Sequence, residues 1–348
     1  MTRIGIIGTG WGSRVQVPAF RRAGLEVVAI AGHDAKKTAA IAKDMEVEAF
    51  DTAEHLIDEA RVDLVSIVSP PATHRGYAVR ALERGRHVLC EKPTALDASE
   101  AEAMQTAAAA RPRQLALIDH ELRFLPAWKE ARRRLETLGR IRFAEVRYAS
   151  PSRSDPNRPW NWWSDAAQGG GVWGAVGSHF VDAVRYFIGE VEAAQAVLAT
   201  FIAQRPYPGA GRREVTVDDF AAVHLRLAGG ALATMTFTVV AAVDEETALT
   251  IVAEGGAVRL IGDRLEIAEP RGEWKEVIPT ENAGIPGDSP GGAFGTGTIH
   301  LGRALRAALD EGDLAALSPA ATFVDGVHQQ RVLDAARRSP AGGGWVAV

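Results

Sequence analysis

The strongest constraint on the fold is the alternation of short apolar runs and helical segments up to about residue 120. Apolar runs bounded by turn residues predict strands at Arg3–Ile7, Leu25–Ala31, Val62–Val68, Arg86–Cys90 and Gln114–Ile118. Alanine-rich, charged segments with helical spacing lie between them, at Lys36–Met45, His74–Arg84 and Ser99–Ala110. Ser99 is the predicted N-cap of the last of these helices, with Glu102 completing a capping box. The pattern predicts βαβ units around a parallel sheet that is covered by helices on both faces.

A glycine-rich turn follows the first strand and opens a helix. Gly8 permits a tight turn, Gly10 lets the backbone approach a pyrophosphate, and the next helix offers N–H groups to the anion. Ser13 stands where the full fingerprint has its third glycine, and it is small enough for close packing. The turn predicts a Rossmann dinucleotide-binding domain, with cofactor contacts from Gly8, Thr9, Gly10, Trp11 and Gly12.

The end of the second strand bears on the choice between NAD and NADP. An acidic residue that binds the adenosine ribose is expected there, but Gly32 occupies the position. His33, Lys36 and Lys37 follow, and cationic groups favour a 2′-phosphate. We therefore expect NAD(P) with a preference for NADP, and contacts from Gly32, His33 and Lys37. Two alternatives stay open: Asp34 binds the ribose of NAD, or it caps the following helix and the lysines are solvated.

After about residue 140 the pattern changes to strands that short Gly, Asp or Pro turns connect. These strands are expected at Ile141–Ala149, Val191–Phe201, Val215–Leu227, Ala231–Val239, Thr247–Ala253, Ala257–Ile261 and Leu265–Ile267, and the helices at Trp173–Ile188, Thr296–Asp310 and Ala320–Arg338. The fold class is therefore α/β, with a doubly wound parallel Rossmann sheet in residues 1–122. Residues 123–348 form an α+β domain for substrate binding and oligomerisation, with a large, mostly antiparallel open sheet. The last helix is a candidate to pack back on the first domain.

Composition excludes several classes of protein. The formal net charge is -5 and no long basic run occurs, so a nucleic-acid partner is not expected. No apolar stretch reaches the roughly 18 residues of a membrane span. A single cysteine, Cys90, rules out a disulfide framework within the chain and fits a cytoplasmic location. The histidines are scattered, and neither a metal motif nor a Gly-x-Ser-x-Gly elbow is present.

Several motifs resemble those of the glucose–fructose oxidoreductase/inositol dehydrogenase (Gfo/Idh/MocA) family, and the resemblance covers nearly the whole chain. The motifs are Ser69-Pro70-Pro71-Ala72-Thr73-His74, Glu91-Lys92-Pro93, Gly169-Gly170-Gly171, Gly177-Ser178-His179 with Asp182, and Asp325-Gly326. The resemblance implies an oxidoreductase that uses NAD(P) on a sugar or polyol hydroxyl. It also implies cofactor contacts from Ser69, Pro70, His74, Glu91 and Lys92, and a homodimer or homotetramer.

Lys92 and His179 are the candidate catalytic residues. Lys92 lies at the carboxyl end of a parallel strand, the usual ligand crevice of such sheets, and a lysine there stabilises a developing alkoxide. In the family the matching lysine contacts substrate and nicotinamide, and its bond to proline is often cis. His179 has an intrinsic pKa near neutrality, which suits a general acid and base. The alternatives are that Lys92 is a surface lysine without a catalytic role and that His179 is a core histidine whose hydrogen bonds are made within the fold.

One departure from the family concerns the position four residues before His179. The family often has an aspartate there, but this chain has Ala175. Another carboxylate, Asp182 or Asp165, would then orient the imidazole, or Lys92 and His179 work alone, or activity is reduced or lost. The last option keeps a second class of function open, a cofactor-binding sensor with little turnover. A dehydrogenase of a non-sugar cyclic diol is a third option.

Further substrate contacts are predicted from Arg123 and Trp162. Arg123 matches a frequently basic position of the family, and a structural salt bridge is its alternative role. Trp162, with Trp160 and Trp163, lies in a long loop and has a face suited to a sugar ring, or packs within the loop. The expected partner is a small, sugar-like substrate.

Overall fold

The computed structural model describes residues 1–209, 211–279, 289–339 and 344–348. In chain order its strands are β1 (Arg3–Ile7), β2 (Glu26–Ala31), β3 (Glu48–Phe50), β4 (Leu64–Ile67), β5 (His87–Cys90), β6 (Ala116–Ile118), β7 (Ile141–Ala149), β8 (Val191–Ala199), β9 (Gln204–Pro206), β10 (Arg212–Glu214), β11 (Phe220–Leu227), β12 (Leu232–Thr238), β13 (Ala248–Ala253), β14 (Gly256–Ile261), β15 (Arg264–Ala268), β16 (Lys275–Val277), β17 (Ala321–Thr322) and β18 (Val346–Ala347).

The α-helices are α1 (Val17–Arg22), α2 (Ala35–Asp44), α3 (Ala53–Glu59), α4 (His74–Glu83), α5 (Ala98–Ala109), α6 (Pro126–Leu135), α7 (Ser178–Phe187), α8 (Ala293–Asp310) and α9 (Phe323–Arg338). π-Helical turns, Gly12–Gln16 and Trp173–Gly177, lead into α1 and α7. The predicted cap of α5 is wrong. Asp97 is the N-cap and accepts from the backbone N–H of Glu100, because α5 begins one residue before Ser99. No helix among the described residues is long and apolar enough to span a bilayer.

The chain divides into two compact units, of which unit 1 comprises Met1–Leu125 and Gly284–Val327. Its sheet has the strand order β17-β6-β5-β4-β1-β2-β3. The six strands β1 to β6 are parallel, in the order of a Rossmann sheet, and β17 adds an antiparallel edge. The predicted doubly wound parallel sheet is confirmed. The unit also contains strand β3 and helix α3, which the apolar pattern did not indicate.

Apolar clusters cover both faces of the unit 1 sheet. Strand residues such as Ile4 and Ile30 pack with Phe20 of α1 and Leu305 of α8 in one cluster. Helix α8 approaches α1 closely, since a Cβ on Gly302 would lie 2.7 Å from that of Ala23. A distant piece of the chain therefore completes the core of the unit that holds the glycine-rich turn.

Unit 2 comprises Pro126–Ala283 and His328–Val348. It contains a nine-stranded sheet in the order β16-β15-β14-β13-β7-β12-β11-β8-β18. Only the β7–β12 pair of this sheet is parallel, which confirms the mostly antiparallel sheet expected from the sequence. Strands β9 and β10 form a separate hairpin.

Candidate functional site

The glycine-rich turn lies where the order of the unit 1 sheet reverses, between the carboxyl ends of β1 and β4. Gly8 has φ of 135° and donates its N–H to the Ala31 carbonyl at 2.8 Å. A Cβ at Gly8 would lie 2.4 Å from the Val68 carbonyl oxygen. Only glycine fits this backbone, and the crevice at the reversal is the ligand site of doubly wound sheets.

The rest of the turn leaves open space at Gly10. A Cβ there would meet nothing within 4 Å, whereas one at Gly12 would lie 2.8 Å from Ile6. Ser13, at the position of the third glycine, donates its hydroxyl to the Thr9 carbonyl at 2.9 Å and so closes the turn. Trp11 makes an edge contact with Phe294. An open Gly10 ahead of the Gly12–Gln16 turn fits the pyrophosphate of a dinucleotide.

The position directly after β2, where a carboxylate that binds the adenosine ribose is expected, is occupied by Gly32. Gly32 is required by close packing, because a Cβ would lie 2.7 Å from both Thr38 Oγ1 and Thr9 Cγ2. Asp34 is the N-cap of α2 and accepts from the backbone N–H of Lys37 at 3.0 Å. The capping alternative for Asp34 is therefore the one observed. His33 and Lys37 are both exposed beside it.

His74 is a buried connector between two strand-end turns. Its Nε2 lies 2.9 Å from the Ser69 carbonyl, and its Nδ1 lies 3.1 Å from the Pro93 carbonyl. Burial lowers the pKa of the imidazole, although the backbone hydrogen bonds oppose the shift. Because a neutral imidazole has a single N–H, it donates to one of these carbonyls at a time. The ring lies between the Ser69–Pro70 turn and the turn after β5, and the predicted contact of His74 with a cofactor stays a prediction.

Lys92 follows β5 at the same edge of the sheet, and its peptide bond to Pro93 is cis. Behind it lies a hydrogen-bonded group of polar side chains. Gln16 Nε2 donates to Glu91 Oε1 at 3.1 Å and to Asp119 Oδ2 at 2.7 Å, while Ser66 donates to Gln16 Oε1 at 2.6 Å. Gln16 thus joins the helix opened by the glycine-rich turn to the segment that carries Lys92.

Three carboxyl groups close to Lys92 have perturbed pKa values. Burial, with the negative charge of Glu91, holds the pKa of Asp119 well above its usual range. Burial also raises the pKa of Glu91, against the charge of Lys92. The pKa of Glu121 is raised well above its usual range by burial and by the charges of Asp119 and Glu91. Burial and the charges of the neighbouring carboxylates both disfavour the ionised form of Asp119 and of Glu121.

Arg123 occupies the structural role that was its alternative. Arg123 is 5% exposed, its guanidinium pairs with Asp325 at 3.3 Å, and it also donates to the Pro319 carbonyl at 3.4 Å. Asp325 in turn accepts from the N–H of Thr322 at 2.9 Å. The Asp325-Gly326 motif thereby anchors the short strand β17, and a Cβ on Gly326 would lie 2.6 Å from Thr94.

In unit 2, His179 lies in the first turn of α7 and is 6% exposed. Ala175, one helical turn earlier, provides no carboxylate. Of the two substitutes considered, Asp182 is buried on the same helix, whereas Asp165 caps a short 3₁₀ turn and lies 3.9 Å from Arg213. Asp218, which the sequence analysis missed, accepts from the N–H of Trp173 at 2.6 Å and so holds the turn that leads into α7.

The three loop tryptophans of unit 2 have different surroundings. Arg213 lies over the ring of Trp160 at 3.8 Å, and Arg153 lies over that of Trp163 at 3.9 Å. Trp160 also donates to the Glu214 carbonyl at 2.9 Å. Trp162 is 38% exposed. Contacts within the loop and with the two arginines therefore account for the positions of Trp160 and Trp163. The ring of Trp162 is partly exposed, so it is the one of the three that could contact a ligand.

Sequence reasoning did not identify Gln16, Asp119 and Glu121 as part of the site. Asp119 and Glu121 directly follow the buried strand β6, and that position at the carboxyl end of a parallel strand was the available signal. Gln16 had no such signal, because its role depends on contacts with residues 75 and 103 positions away. Within the described part of the chain, no group of three or more His, Cys, Asp or Glu is placed to hold a metal ion.

Comparisons with known protein families match both parts of the chain. Residues 2–118 match a family model described as an oxidoreductase family with an NAD-binding Rossmann fold, GFO/IDH/MocA. Residues 128–259 match the model of the GFO/IDH/MocA C-terminal domain. Glucose-fructose oxidoreductase domain-containing protein 2 of Homo sapiens is 30% identical over 99% of this chain and 93% of that protein. An uncharacterized oxidoreductase of Synechocystis is 34% identical over 76% of this chain and 72% of its own length.

Solved structures agree with the fold over the whole length. Levoglucosan dehydrogenase in complex with NADH and levoglucosan has a TM-score of 0.87 and 25% identity, covering 100% of this chain and 99% of that one. An oxidoreductase domain protein from Kribbella flavida has a TM-score of 0.88 and 27% identity, with both chains fully covered.

Proposed function

The chain belongs to the GFO/IDH/MocA oxidoreductase family, and we propose that it transfers hydride between a nicotinamide cofactor and a hydroxyl-bearing carbon of a sugar or polyol. The observation that carries the proposal is the glycine-rich turn at the reversal of the sheet, on the same edge as Lys92. The nicotinamide cofactor, when bound, supplies the hydride acceptor or donor. A structural neighbour of this chain, levoglucosan dehydrogenase, was solved in complex with NADH and levoglucosan, which supports a sugar-like substrate.

We assign to Lys92 and His179 the handling of the charge and the proton of the substrate hydroxyl. Lys92 is a cation at the strand edge, where it stabilises negative charge that develops on the substrate oxygen. His179 exchanges a proton with that oxygen as general base in oxidation and general acid in reduction. Asp182 is the carboxylate we propose to orient His179 in place of the residue missing at Ala175, since Asp165 is engaged with the 3₁₀ turn and Arg213.

The assay that tests this proposal follows nicotinamide absorbance with a panel of sugars, polyols and their keto forms. We expect turnover of at least one of them, and a fall in kcat of about 100-fold or more in Lys92→Ala and His179→Ala. Lys43→Ala, at an exposed position in the last turn of α2, controls for loss of a lysine. Cofactor binding with no turnover on the whole panel would favour the second candidate, a sensor that lacks the Ala175 carboxylate.

We further propose that the cofactor is NADP(H). With Asp34 engaged as the cap of α2, the basic residues His33 and Lys37 are exposed shortly after Gly32, the position where a carboxylate partner of the adenosine ribose is expected. A 2′-phosphate attracts basic side chains, whereas an unmodified ribose carries no charge to do so. Calorimetric titration with NADPH and NADH decides the point. We expect tighter binding of NADPH, and a double variant His33→Ala, Lys37→Ala that weakens NADPH without affecting NADH. Tighter binding of NADH by the wild type would contradict the preference.

The open face of the unit 2 sheet supports a proposed homodimer or homotetramer. Phe143 and Leu232 are paired on neighbouring strands and are 39% and 50% exposed, and Val197 on the same face is 64% exposed. Apolar side chains on a sheet face are protected when a second copy covers them. We expect light scattering after gel filtration to give at least twice the mass of one chain, and Leu232→Asp to reduce it to a single chain.

A further inference from the structure

Four arginines surround the first part of the loop that follows β7; we call Arg153, Arg158, Arg205 and Arg212 the arginine cluster. Three of them bind backbone carbonyls of this loop. Arg158 donates to Ser152 at 2.7 Å, Arg205 to Asp155 at 2.9 Å and to Arg153 at 2.7 Å, and Arg212 to Pro156 at 3.0 Å. These three guanidinium groups therefore fix the loop, and their donors are directed at its backbone.

Arg153 differs from the other three because its guanidinium has no oxygen partner. It stacks on the ring of Trp163 at 3.9 Å, and its Nη1 is buried without a hydrogen bond. Among the residues that the structure describes, neither a carboxylate within 4.0 Å nor a side-chain hydrogen bond is found for it. A guanidinium carries five N–H donors in a planar fork, so Arg153 has unused donors fixed in direction by the stacking.

The electrostatic surroundings of Arg153 also favour an anion. Burial, together with the positive charges of Arg158 and Arg205, lowers the pKa of Arg153 to about 9. Asp219, the carboxylate that acts most strongly on Arg205, is itself occupied, because its two oxygens accept the N–H groups of Phe201 and Ile202 at 2.8 Å. Asp219 and Asp155 offset part of the positive charge at Arg205, whereas a negative group that binds Arg153 would relieve the repulsion at Arg153 itself.

The loop that holds Arg153 is packed against the segment that leads to His179. The Trp163 carbonyl accepts from Gly171 at 3.2 Å, and a Cβ on Gly170 would lie 2.4 Å from the same oxygen. The helical segment with His179 begins directly after Gly171. Trp163 therefore connects the guanidinium on one side of its ring to the backbone that positions His179, and the exposed ring of Trp162 is its neighbour.

We propose that Arg153 binds the carboxylate of a sugar acid, so that the substrate is a uronate or an aldonate. A planar fork matches the two oxygens of a carboxylate in a bidentate pair. A phosphate group is the less suitable anion, since the other arginines of the cluster direct their donors to the loop backbone. The proposal rests on the proposed function for its sugar-like substrate, while the anion site itself rests on Arg153 alone.

Calorimetric titration of the full-length protein, with and without saturating NADH, tests the proposal. The probes are D-glucuronate, D-galacturonate and D-gluconate, with D-glucose as the neutral ring and inorganic phosphate as the rival anion. We expect at least one acid to bind, and Arg153→Gln to weaken it by about 10- to 100-fold, the effect of losing a hydrogen bond to a charged group. Arg153→Lys, which keeps the charge but not the fork, is expected to fall between the two.

The matched control is Arg142→Gln, which removes the same charge from an exposed position on β7 and should leave acid binding unchanged. Thermal unfolding of each variant shows whether it is folded. Three results would overturn the proposal: no acid binds, the acids bind equally well to Arg153→Gln, or phosphate binds more tightly than every acid. Turnover of neutral sugars without acid binding rejects this inference alone, and acid binding at Arg153 without any turnover rejects the oxidoreductase alone.

Discussion

At the scale of single residues, Asp119 is a buried carboxyl group whose pKa differs from that of an exposed aspartate. Burial and the charge of Glu91 hold this pKa well above the usual range, so the folded state binds the proton more tightly than the unfolded chain does. In the unfolded chain it ionises above a pH of about 4. Below that pH both states hold the proton, and as the pH rises the unfolded state alone loses it. Asp119 therefore lowers the free energy of unfolding progressively as the pH rises above about 4, because only the unfolded state gains from releasing the proton.

Asp119→Asn removes this pH-dependent cost. An asparagine supplies one acceptor for Gln16 and one donor for Glu91, the same pattern as the protonated acid. We expect the free energy of unfolding of the variant to exceed that of the wild type at pH 7, and the difference to shrink as the pH falls towards about 4. Chemical denaturation at a series of pH values measures both. A difference in stability that does not change with pH would show that the pKa of Asp119 is the same in the folded and unfolded states.

Gly8 offers a second prediction at this scale. Gly8→Ala places a methyl group 2.4 Å from the Val68 carbonyl at φ of 135°, so we expect a loss of about 1–3 kcal/mol of stability and weaker NADH binding. Gly76→Ala is the matched control, because Gly76 lies inside α4 with nothing within 4 Å of its Cβ position. That variant should be neutral or slightly stabilising. Equal effects of the two changes on unfolding and cofactor titration would contradict the role of Gly8.

At the scale of elements, the sequence predicts long apolar strands well and short or exposed ones poorly. β1 and β7 have the predicted bounds, because their apolar residues are bounded by turn residues. β3 was missed because its three residues, Glu48–Phe50, are largely exposed and have no apolar run. The edge strand β17 has only two residues and depends on a partner, β6, that is distant in sequence.

The N-cap of α5 can be tested by mutation. Asp97 accepts from Glu100 N–H at 2.9 Å, and the Glu100 carboxylate accepts from the N–H of Leu96, the residue before the cap, at 3.2 Å. This reciprocal pair lies two residues before the predicted capping box of Ser99 and Glu102. Asp97→Ala should cost about 1 kcal/mol in the free energy of unfolding, and Ser99→Ala much less. Denaturant unfolding of the two variants measures the difference, and a larger cost for Ser99→Ala would restore the original assignment.

At the scale of the whole molecule, unit 1 is assembled from two pieces of chain that sequence proximity does not connect. The alternation up to residue 120 predicts the sheet, and Gly8, Lys92 and the strand-end positions of the site follow from it. The segment Gly284–Val327 could not be assigned to this unit in the same way, since an amphipathic helix such as α8 fits any apolar surface. The hydrogen bonds of Gln16 likewise join residues that are far apart in the sequence, so the sequence alone does not predict them.

The predicted consequence is that the glycine-rich turn depends on α8 for stability. Leu305 is fully buried in the cluster that includes Phe20 and Ile4, so Leu305→Ala should cost about 2–5 kcal/mol in the free energy of unfolding. Arg303→Ala, on the exposed face of α8, should change little. Saturating NADH should raise the melting temperature of both variants, because a ligand of the folded state stabilises it by mass action. A fragment of residues 1–125 lacks α8 and β17, and we expect it to show neither a cooperative transition nor NADH binding. If the fragment unfolds cooperatively and binds NADH as tightly as the full chain, α8 is dispensable to the dinucleotide site.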